Sequence, residues 1–236
     1  YSGHSWYKGD SDLNPREGVT DPQFTEYNVN DRYTWAKAPS YDGQPMEAGG
    51  LSRLLVAYKR GNKFVVDAID GVLEKLGAPG KPEVLVSTLG RTAARQIETL
   101  YIAGLMLDWV KELMEAIKGG DGEYFRTPAK TTGDGTGFWE APRGALYHTE
   151  HVKDGKITGY QIIIPSTWNL APLNAKGVHG PMEQALIGVP VTDIEQPINA
   201  LRTVHSFDPC TACAVHITEP KTGKSFSTVT SPWGVK

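Results

Sequence analysis

Two cysteines and two histidines fall within twelve residues near the carboxyl end of the chain, in the stretch HSFDPCTACAVH from His205 to His216. Cys210 and Cys213 are the only cysteines of the sequence. Two thiolates separated by two residues can bind one soft metal ion from a single turn, because nearby backbone N–H groups stabilise negative sulfur. The spacing therefore predicts a metal site to which this segment gives two sulfur ligands.

Other uses of the CxxC were compared with this one. A structural zinc site needs four ligands, and His205 and His216 could complete it, although their spacing is not that of a zinc finger. A c-type haem needs histidine directly after the second cysteine, where this chain has Ala214. A thioredoxin-like dithiol and a pair of ordinary buried cysteines remain alternatives. If a metal is bound, its remaining ligands must come from outside this segment.

Composition limits the class of protein. The 236 residues carry 24 basic and 27 acidic side chains, a net charge of −3, which argues against nucleic acid as a partner. The uncharged stretch from Ile157 to Ala175 is interrupted by Pro165 and Pro172, so it does not predict a membrane-spanning helix. No targeting signal is readable at Tyr1, as expected of a processed chain or part of a longer one.

The first half of the chain predicts loops followed by helices. Residues 1–50 are rich in turn formers, which favours loops and short hairpins with a brief extended segment at Thr25–Val29. Helical spacing predicts two helices within residues 51–77, each ended by a glycine. A longer helix is predicted within residues 82–118, ended by Gly119-Gly120, and we expect it to form the core.

The second half predicts one hairpin and two short helices. Asp154-Gly155 is a turn dipeptide between the β-prone segments 144–152 and 156–164. Residues 181–188 and 194–205 have the pattern of short helices, the second with Pro197 in its first turn. The predicted fold class is α+β, predominantly α-helical with an antiparallel β-hairpin insertion.

Several stretches of the sequence agree, in order, with one known family: SWYKGDSDLNPREG, EAPRGALYH, GYQIIIPSTWN, LRTVHSFDPC and DPCTACAVH. The chain resembles the carboxy-terminal part of the large, catalytic subunit of [NiFe] hydrogenases, most closely the uptake, membrane-associated group. The match spans nearly the whole chain. It implies that residues 1–216 are the carboxy-terminal part of the catalytic domain and that 217–236 are an extension removed on maturation, so the sequence is similar to an unprocessed precursor.

The resemblance implies a Ni–Fe centre that shares four cysteines, two of them in an amino-terminal RxCGxC motif that does not occur in this sequence. Cys210 matches the terminal nickel ligand and Cys213 the thiolate that bridges nickel and iron. Soft thiolates suit a nickel ion that changes oxidation state. The iron carries CO and cyanide, and Pro165 and Ser166 match the residues that enclose these ligands.

Four further residues gain roles from the resemblance. Arg143 matches a guanidinium above the open metal position, where a fixed cation can assist H2 activation. Asp208 matches a carboxylate beside it. His216 matches the ligand of a magnesium or iron ion, to which Ile162 gives a backbone carbonyl. Without the resemblance, Arg143 would be an ordinary surface arginine and Asp208 a helix N-cap.

The function implied is reversible oxidation of H2 to protons and electrons. The implied partners are an iron–sulfur small subunit, the amino-terminal part of the large subunit carrying RxCGxC, and a maturation endopeptidase. The implied location is the periplasmic side of the cytoplasmic membrane, held peripherally by partner subunits. A non-catalytic metal-handling or interaction module with the same fold is the alternative. The polar composition of residues 217–236 predicts a protease-accessible tail that holds the metal site open until it is removed.

Overall fold

The computed structural model gives side chains for residues 14–17, 33–34, 36–122, 125, 127, 131–210 and 222–223, and backbone alone for 214–218 and 225–229. The segment Thr25–Val29 lies outside these residues. The chain divides into two compact units. We call them the helix–sheet unit, made of Leu13–Asp21 and Ala48–Ile164, and the motif unit, made of Tyr1–Asp12, Pro22–Glu47 and Pro165–Lys236.

The helix–sheet unit begins with the predicted helices. They are α1 (Gly50–Lys59), α2 (Lys63–Lys75), a 3₁₀ turn (Pro82–Leu85) and α3 (Thr88–Lys118). Asn62 begins α2 by accepting a hydrogen bond from the Val65 N–H, and Ser87 begins α3 by accepting one from the Gly90 N–H. The sequence prediction of these three helices is confirmed.

The core of this unit joins α1, α2 and the first turns of α3. Its buried side chains are Leu51, Leu54, Val65, Ile69, Leu73, Leu85 and Ala94. Gly90 lets α3 approach the 3₁₀ turn, since a Cβ there would overlap the backbone of Leu85. The packing therefore uses only the amino-terminal part of α3, whose buried residues are Gly90, Arg91 and Ala94.

The expectation that the long helix forms the core is wrong for most of its length. Most of the apolar residues whose spacing predicts this helix are exposed, with 41% of Ile102, 50% of Trp109, 60% of Leu113 and 66% of Ile117 accessible. Periodicity correctly identified an apolar helix, but it does not specify what covers that helix. None of the helices in the described part of the chain combines the length and the hydrophobicity of a membrane span.

The sheet of the helix–sheet unit is an antiparallel meander of β1 (Gly133–Ala141), β2 (Gly144–Lys153) and β3 (Lys156–Ile163). The predicted hairpin is confirmed as β2–β3, with Asp154 and Gly155 at positive φ in its turn. Strand β1 was not predicted. Its glycines are typical of a loop, yet it pairs with β2 from Gly133↔Val152 to Ala141↔Gly144.

The motif unit contains short elements. They are α4 (Pro165–Asn169), α5 (Pro181–Leu186), α6 (Ile198–Ser206) and the strand pair β4 (Ala214–Thr218) and β5 (Ser225–Val229). The two predicted short helices are confirmed, although Pro197 is the N-cap of α6 rather than a first-turn residue. Helix α4 was not predicted, and neither was the pairing of β4 with a strand of residues 217–236.

Tyr33 fixes the loop between α4 and α5. Its hydroxyl donates to Glu183 Oε1 at 2.7 Å and accepts from the Leu173 N–H at 2.9 Å. Burial, together with the hydrogen bond to Glu183, raises the pKa of Tyr33 to about 12. The second oxygen of Glu183 faces His179 Nδ1 at 2.9 Å. The carboxylate thus joins two segments that lie far apart in sequence.

His151 on β2 links the sheet to the turn at residues 14–17. Its Nδ1 lies 2.6 Å from Asp134 Oδ1, and its Nε2 lies 2.6 Å from the Arg16 carbonyl oxygen. Both neighbours are acceptors, so both nitrogens donate only in the protonated ring. The hydrogen bond to Asp134, followed by that to Arg16, raises the pKa of His151 above its ordinary value.

We expect this contact to make stability depend on pH. A raised pKa in the folded state stabilises the protein below the unfolded pKa, about 6.5, and the effect is lost as pH rises through the folded value. Native chain and His151→Gln should therefore differ more in free energy of unfolding near about pH 5.5 than near about pH 8.5. Asp134→Asn is the matched variant. It removes the charged acceptor of His151, so the effect of His151→Gln should depend less on pH in that background. Denaturant titrations in which the native–variant difference stays constant with pH would contradict this.

Candidate metal centre

The chain leaves α6 by a turn directly before the CxxC segment. The Phe207 and Asp208 N–H groups donate to the carbonyls of Val204 and His205, and Asp208 adopts φ 50°, in the left-handed region. Asp208 therefore follows the carboxyl end of a helix. The N-cap interpretation of this residue is wrong, because the sequence alone does not show whether a helix precedes or follows it.

Ser166 and Cys210 are brought together although they lie 44 positions apart. The Cys210 N–H donates to Ser166 Oγ at 3.2 Å. Ser166 is 4% exposed in α4, which Pro165 begins, also buried. Cys210 itself is exposed and is a free cysteine among the described residues. An exposed thiol on an anchored backbone is unlike the ordinary buried cysteine considered as an alternative.

The other half of the motif lies outside what the structure describes in full. Cys213 is not among the described residues, and His216 is described only as backbone, in β4 opposite Ser227 of β5. Among the residues that are described, no group of three or more His, Cys, Asp and Glu is placed to hold a metal ion. The pairing of Cys210 with Cys213 at one metal stays a prediction.

Arg143 and Ile162 belong to the helix–sheet unit. Pro142 and Arg143 form the two-residue turn between β1 and β2, so Arg143 projects from the end of a hairpin and is half-buried. Ile162 lies on β3 opposite His148 and is 42% exposed. A tight turn on a paired sheet restricts the backbone more than a surface loop does.

The backbone after Arg143 is in close contact with the start of α1. Gly144 is buried at φ 129°, and a Cβ there would lie 2.6 Å from the Gly49 nitrogen. Gly49, at φ 134°, would place a Cβ 3.3 Å from the Arg143 carbonyl oxygen. Both positions require glycine, so the sequence pair Gly49 and Gly144 sets how closely this turn approaches α1.

The backbone before Arg143 is held by Arg53 of α1, a residue that sequence reasoning missed. Its guanidinium donates to both oxygens of Glu98, at 2.6 and 2.7 Å, and to Glu140 Oε2 at 2.9 Å. It also donates to the carbonyls of Ala141 and Pro142, both at 2.8 Å. All five N–H groups of the side chain are therefore used.

The charge of Arg53 is maintained by this environment. Burial alone would lower the pKa of Arg53, but the hydrogen bonds to Glu98 and Glu140 outweigh that effect and raise it. No pattern in the sequence connects position 53 with position 142. Only the packing of α1 against α3 and the sheet brings these groups together.

The residues described here match a known family. The family model described as "Nickel-dependent hydrogenase" matches residues 1–216. The uptake hydrogenase large subunit of Bradyrhizobium diazoefficiens is 38% identical over 243 residues, and the hydrogenase-2 large chain of Escherichia coli K12 is 39% identical over 223. Both alignments cover 92% of this chain. The chain belongs to the nickel-dependent hydrogenase family, and its resemblance to large subunits is confirmed.

Solved structures agree with the sequence relatives. The reduced Ni-Fe-Se hydrogenase from D. vulgaris Hildenborough superposes with a TM-score of 0.73 at 37% identity, over 88% of this chain and 42% of that one. An [NiFeSe]-hydrogenase from Dm. baculatum gives 0.72 at 35% identity, over 89% and 42%. The α+β fold is that of hydrogenase large subunits. The chain spans about two fifths of the length of its relatives.

We predict that Ser166→Ala loosens the Cys210 segment. The variant removes the acceptor of the Cys210 N–H, and a hydrogen bond of this kind contributes about 0.5–1.5 kcal/mol. In a Cys213→Ser background, the single thiol should then react several-fold faster with an alkylating reagent, and thermal stability should fall slightly. Thr167→Ala, the neighbouring substitution on α4, is the control. Equal alkylation rates for the two variants would contradict a role of Ser166 in holding Cys210.

Proposed function

We propose that this chain is the carboxy-terminal part of the catalytic subunit of a [NiFe] hydrogenase that interconverts H2 with protons and electrons. The observation that carries the proposal is the family match over residues 1–216, which spans the motif from Cys210 to His216. The names of the relatives, uptake hydrogenase and hydrogenase-2, support the same reaction class.

The donor set of the chain fits half of a Ni–Fe site. Cys210 would be a terminal ligand of nickel and Cys213 the bridging thiolate to iron, and sulfur is the donor type that such a metal pair requires. The exposure of Cys210 supports this, because a ligand must be reachable from the metal. The metal pair, when bound, would supply the redox change of the reaction, and the remaining thiolates would come from RxCGxC.

Ser166 would serve the iron ligands and the cysteine segment together. A hydroxyl that accepts from the Cys210 N–H keeps its own proton for donation, here to a cyanide on the iron. Pro165 would form the wall beside it. His216, with the carbonyl of Ile162, would hold the magnesium or iron ion that the family resemblance implies.

Arg143 would act over the open coordination position as a fixed cation, with Asp208 as its carboxylate neighbour. Its place in a two-residue turn supports this role, because a preorganised charge stabilises developing charge without reorganisation. The left-handed turn at Asp208 fixes its backbone directly before the CxxC segment.

The largest implied partner is the amino-terminal part of a large subunit carrying RxCGxC. Relatives are about two and a half times as long as the matched region, and α3 offers the surface that such a segment would cover. Exposed apolar side chains occur over roughly 200° of its circumference from residue 100 onward, whereas a helix on a single core shows a narrower stripe. They are Leu100, Ile102, Met106, Leu107, Trp109, Val110, Leu113, Met114 and Ile117.

The polar face of α3 supports the same assignment. Two ion pairs, Lys111–Asp108 and Lys118–Glu115, lie on the remaining side of the helix, which is therefore the side expected to stay in water.

A buried hydrogen-bond donor in the motif unit, Trp168 Nε1, has no partner among the described residues. A carbonyl of the amino-terminal part would satisfy it.

The remaining partners are an iron–sulfur small subunit, which would carry electrons away, and a maturation endopeptidase. The endopeptidase would cut after His216, where the family match ends. Strand β5 lies in the segment to be removed and pairs with β4 in the register His216↔Ser227. Removal of the tail would therefore release the strand that carries His216. The enzyme would sit at the periplasmic side of the membrane, attached through partner subunits.

We expect apolar-face variants of α3 to weaken association with the amino-terminal part. Leu113→Lys places a charge in the proposed interface and should reduce affinity at least about 10-fold in a co-purification or calorimetric titration. Glu112→Lys, the neighbouring position on the polar face, should bind nearly as well as the native chain. Both residues are exposed, so neither variant should change the melting temperature of the chain alone. Equal loss of affinity in both variants would contradict the assignment.

The catalytic proposal is tested with the chain joined to the amino-terminal part. Arg143→Lys should keep its nickel and iron content but oxidise H2 about 10²–10³ times more slowly, because a flexible ammonium does not reproduce a positioned guanidinium. Arg60→Lys, at an exposed arginine ending α1, is the control and should be unaffected. Unchanged turnover in a metal-loaded Arg143→Lys enzyme would contradict the role proposed for Arg143. H2-dependent dye reduction by the isolated chain would contradict the requirement for the second part.

A further inference from the structure

We propose that Arg53 is a positioning residue for Arg143: its guanidinium holds the two peptide groups that lead into the β1–β2 turn. This rests on the role proposed for Arg143. The carbonyls of Ala141 and Pro142 both accept from Arg53 at 2.8 Å. Because the Pro142 carbonyl belongs to the peptide bond joined to Arg143, this contact sets the plane from which the Arg143 backbone starts.

Arg53 can do this because it is itself held by two carboxylates from different elements. Glu98 on α3 binds Nε and Nη2 in a bidentate pair, and Glu140 at the end of β1 binds Nη1. The side chains of Arg53 and Glu98 are 20% and 18% exposed, so water competes weakly for this pair. The two carboxylates thus fix the orientation of the guanidinium that contacts the turn.

The second side of the turn is fixed independently. Gly144 lies against Gly49 and Ala48, and Gly49 lies against the Arg143 carbonyl. Gly49 and Arg53 are both part of the start of α1, one turn apart. The backbone on each side of Arg143 therefore contacts the amino-terminal end of α1, which supports both sides of the turn.

Lysine cannot replace Arg53 in this role. Its ammonium has three donors at one point, whereas the acceptors here are five and lie along two edges of a planar group. Arg53→Lys keeps the positive charge beside Glu98 and Glu140 but must give up at least two of the contacts. We expect the turn carbonyls to be lost first, because the carboxylates are the stronger acceptors.

The first experiment measures the turn directly in the full chain, without metal. Amide hydrogen exchange at Arg143, Gly144 and Ala145 should rise about 10-fold in Arg53→Lys. Ile69→Val, in the core of the same unit, is the control for general loss of stability. When each protein is measured at the same interval below its own melting temperature, these amides should exchange in Ile69→Val at close to the native rate. Equal exchange at the turn in Arg53→Lys and Ile69→Val would overturn the proposal.

The second experiment is a double-mutant cycle in the chain joined to its amino-terminal part and loaded with metal. Arg53→Lys should lower the rate of H2 oxidation about 10-fold, with metal content unchanged, and should have almost no effect once Arg143 is already lysine. The same factor in both backgrounds would overturn the proposal. If Arg143→Lys alone leaves turnover unchanged, the role proposed for Arg143 fails, while altered exchange at the turn would still establish the contact with Arg53.

Discussion

The helix–sheet unit depends on one largely buried cation. Arg53 joins α1 to α3 through Glu98 and to the sheet through Glu140, Ala141 and Pro142. A charge in this position is stable only with its partners in place, and loss of one partner leaves an uncompensated charge. The packing of the two helices and the placement of the β1–β2 turn therefore depend on the same side chain. The turn that carries Arg143 is therefore tied to the helices by side-chain and backbone contacts.

Two features of the chain are incomplete in the same way. The sequence holds two thiols where the family resemblance implies four, and α3 exposes a broad apolar face from residue 100 onward. An exposed helix of this kind gains stability only by burial against another element, since apolar surface in water is unfavourable. The same amino-terminal part would complete both the ligand set and the packing of α3. A shared requirement of this kind would couple assembly of the proposed subunit to formation of its metal site.

Local signals predicted most of the helices, and residue contacts far apart in sequence were not predictable. Glycine stops and cap residues such as Asn62 and Ser87 mark where helices begin and end, and Asp154-Gly155 identifies a hairpin, because these effects act within a few residues. Strand β1 was missed because Gly133, Gly135 and Gly137 suit a loop, and only pairing with β2 makes them a strand. The exposure of α3 was missed because periodicity carries no information about neighbours.

The candidate site shows the same division. The motif residues Cys210 and Cys213 were evident from type and spacing, and the family resemblance implied Arg143 and Ser166. The contact of Ser166 with the Cys210 backbone and the hold of Arg53 on the turn depend on tertiary packing alone. The position of Asp208 after the carboxyl end of a helix, instead of at an N-cap, was likewise not evident from its residue type. Residue types indicate the chemistry that a site can perform, whereas the contacts that position its side chains are found only in the folded chain.

The most direct test of the central claim is to count the sulfur ligands of nickel. X-ray absorption at the nickel edge would be recorded on this chain assembled with the amino-terminal part and loaded with metal. The expected result is a sulfur-dominated site that loses one sulfur ligand in Cys210→Ser, while Thr167→Ala leaves the spectrum unchanged. A nickel spectrum that is identical in the native assembly and in Cys210→Ser would contradict the claim that this chain supplies half of the metal site.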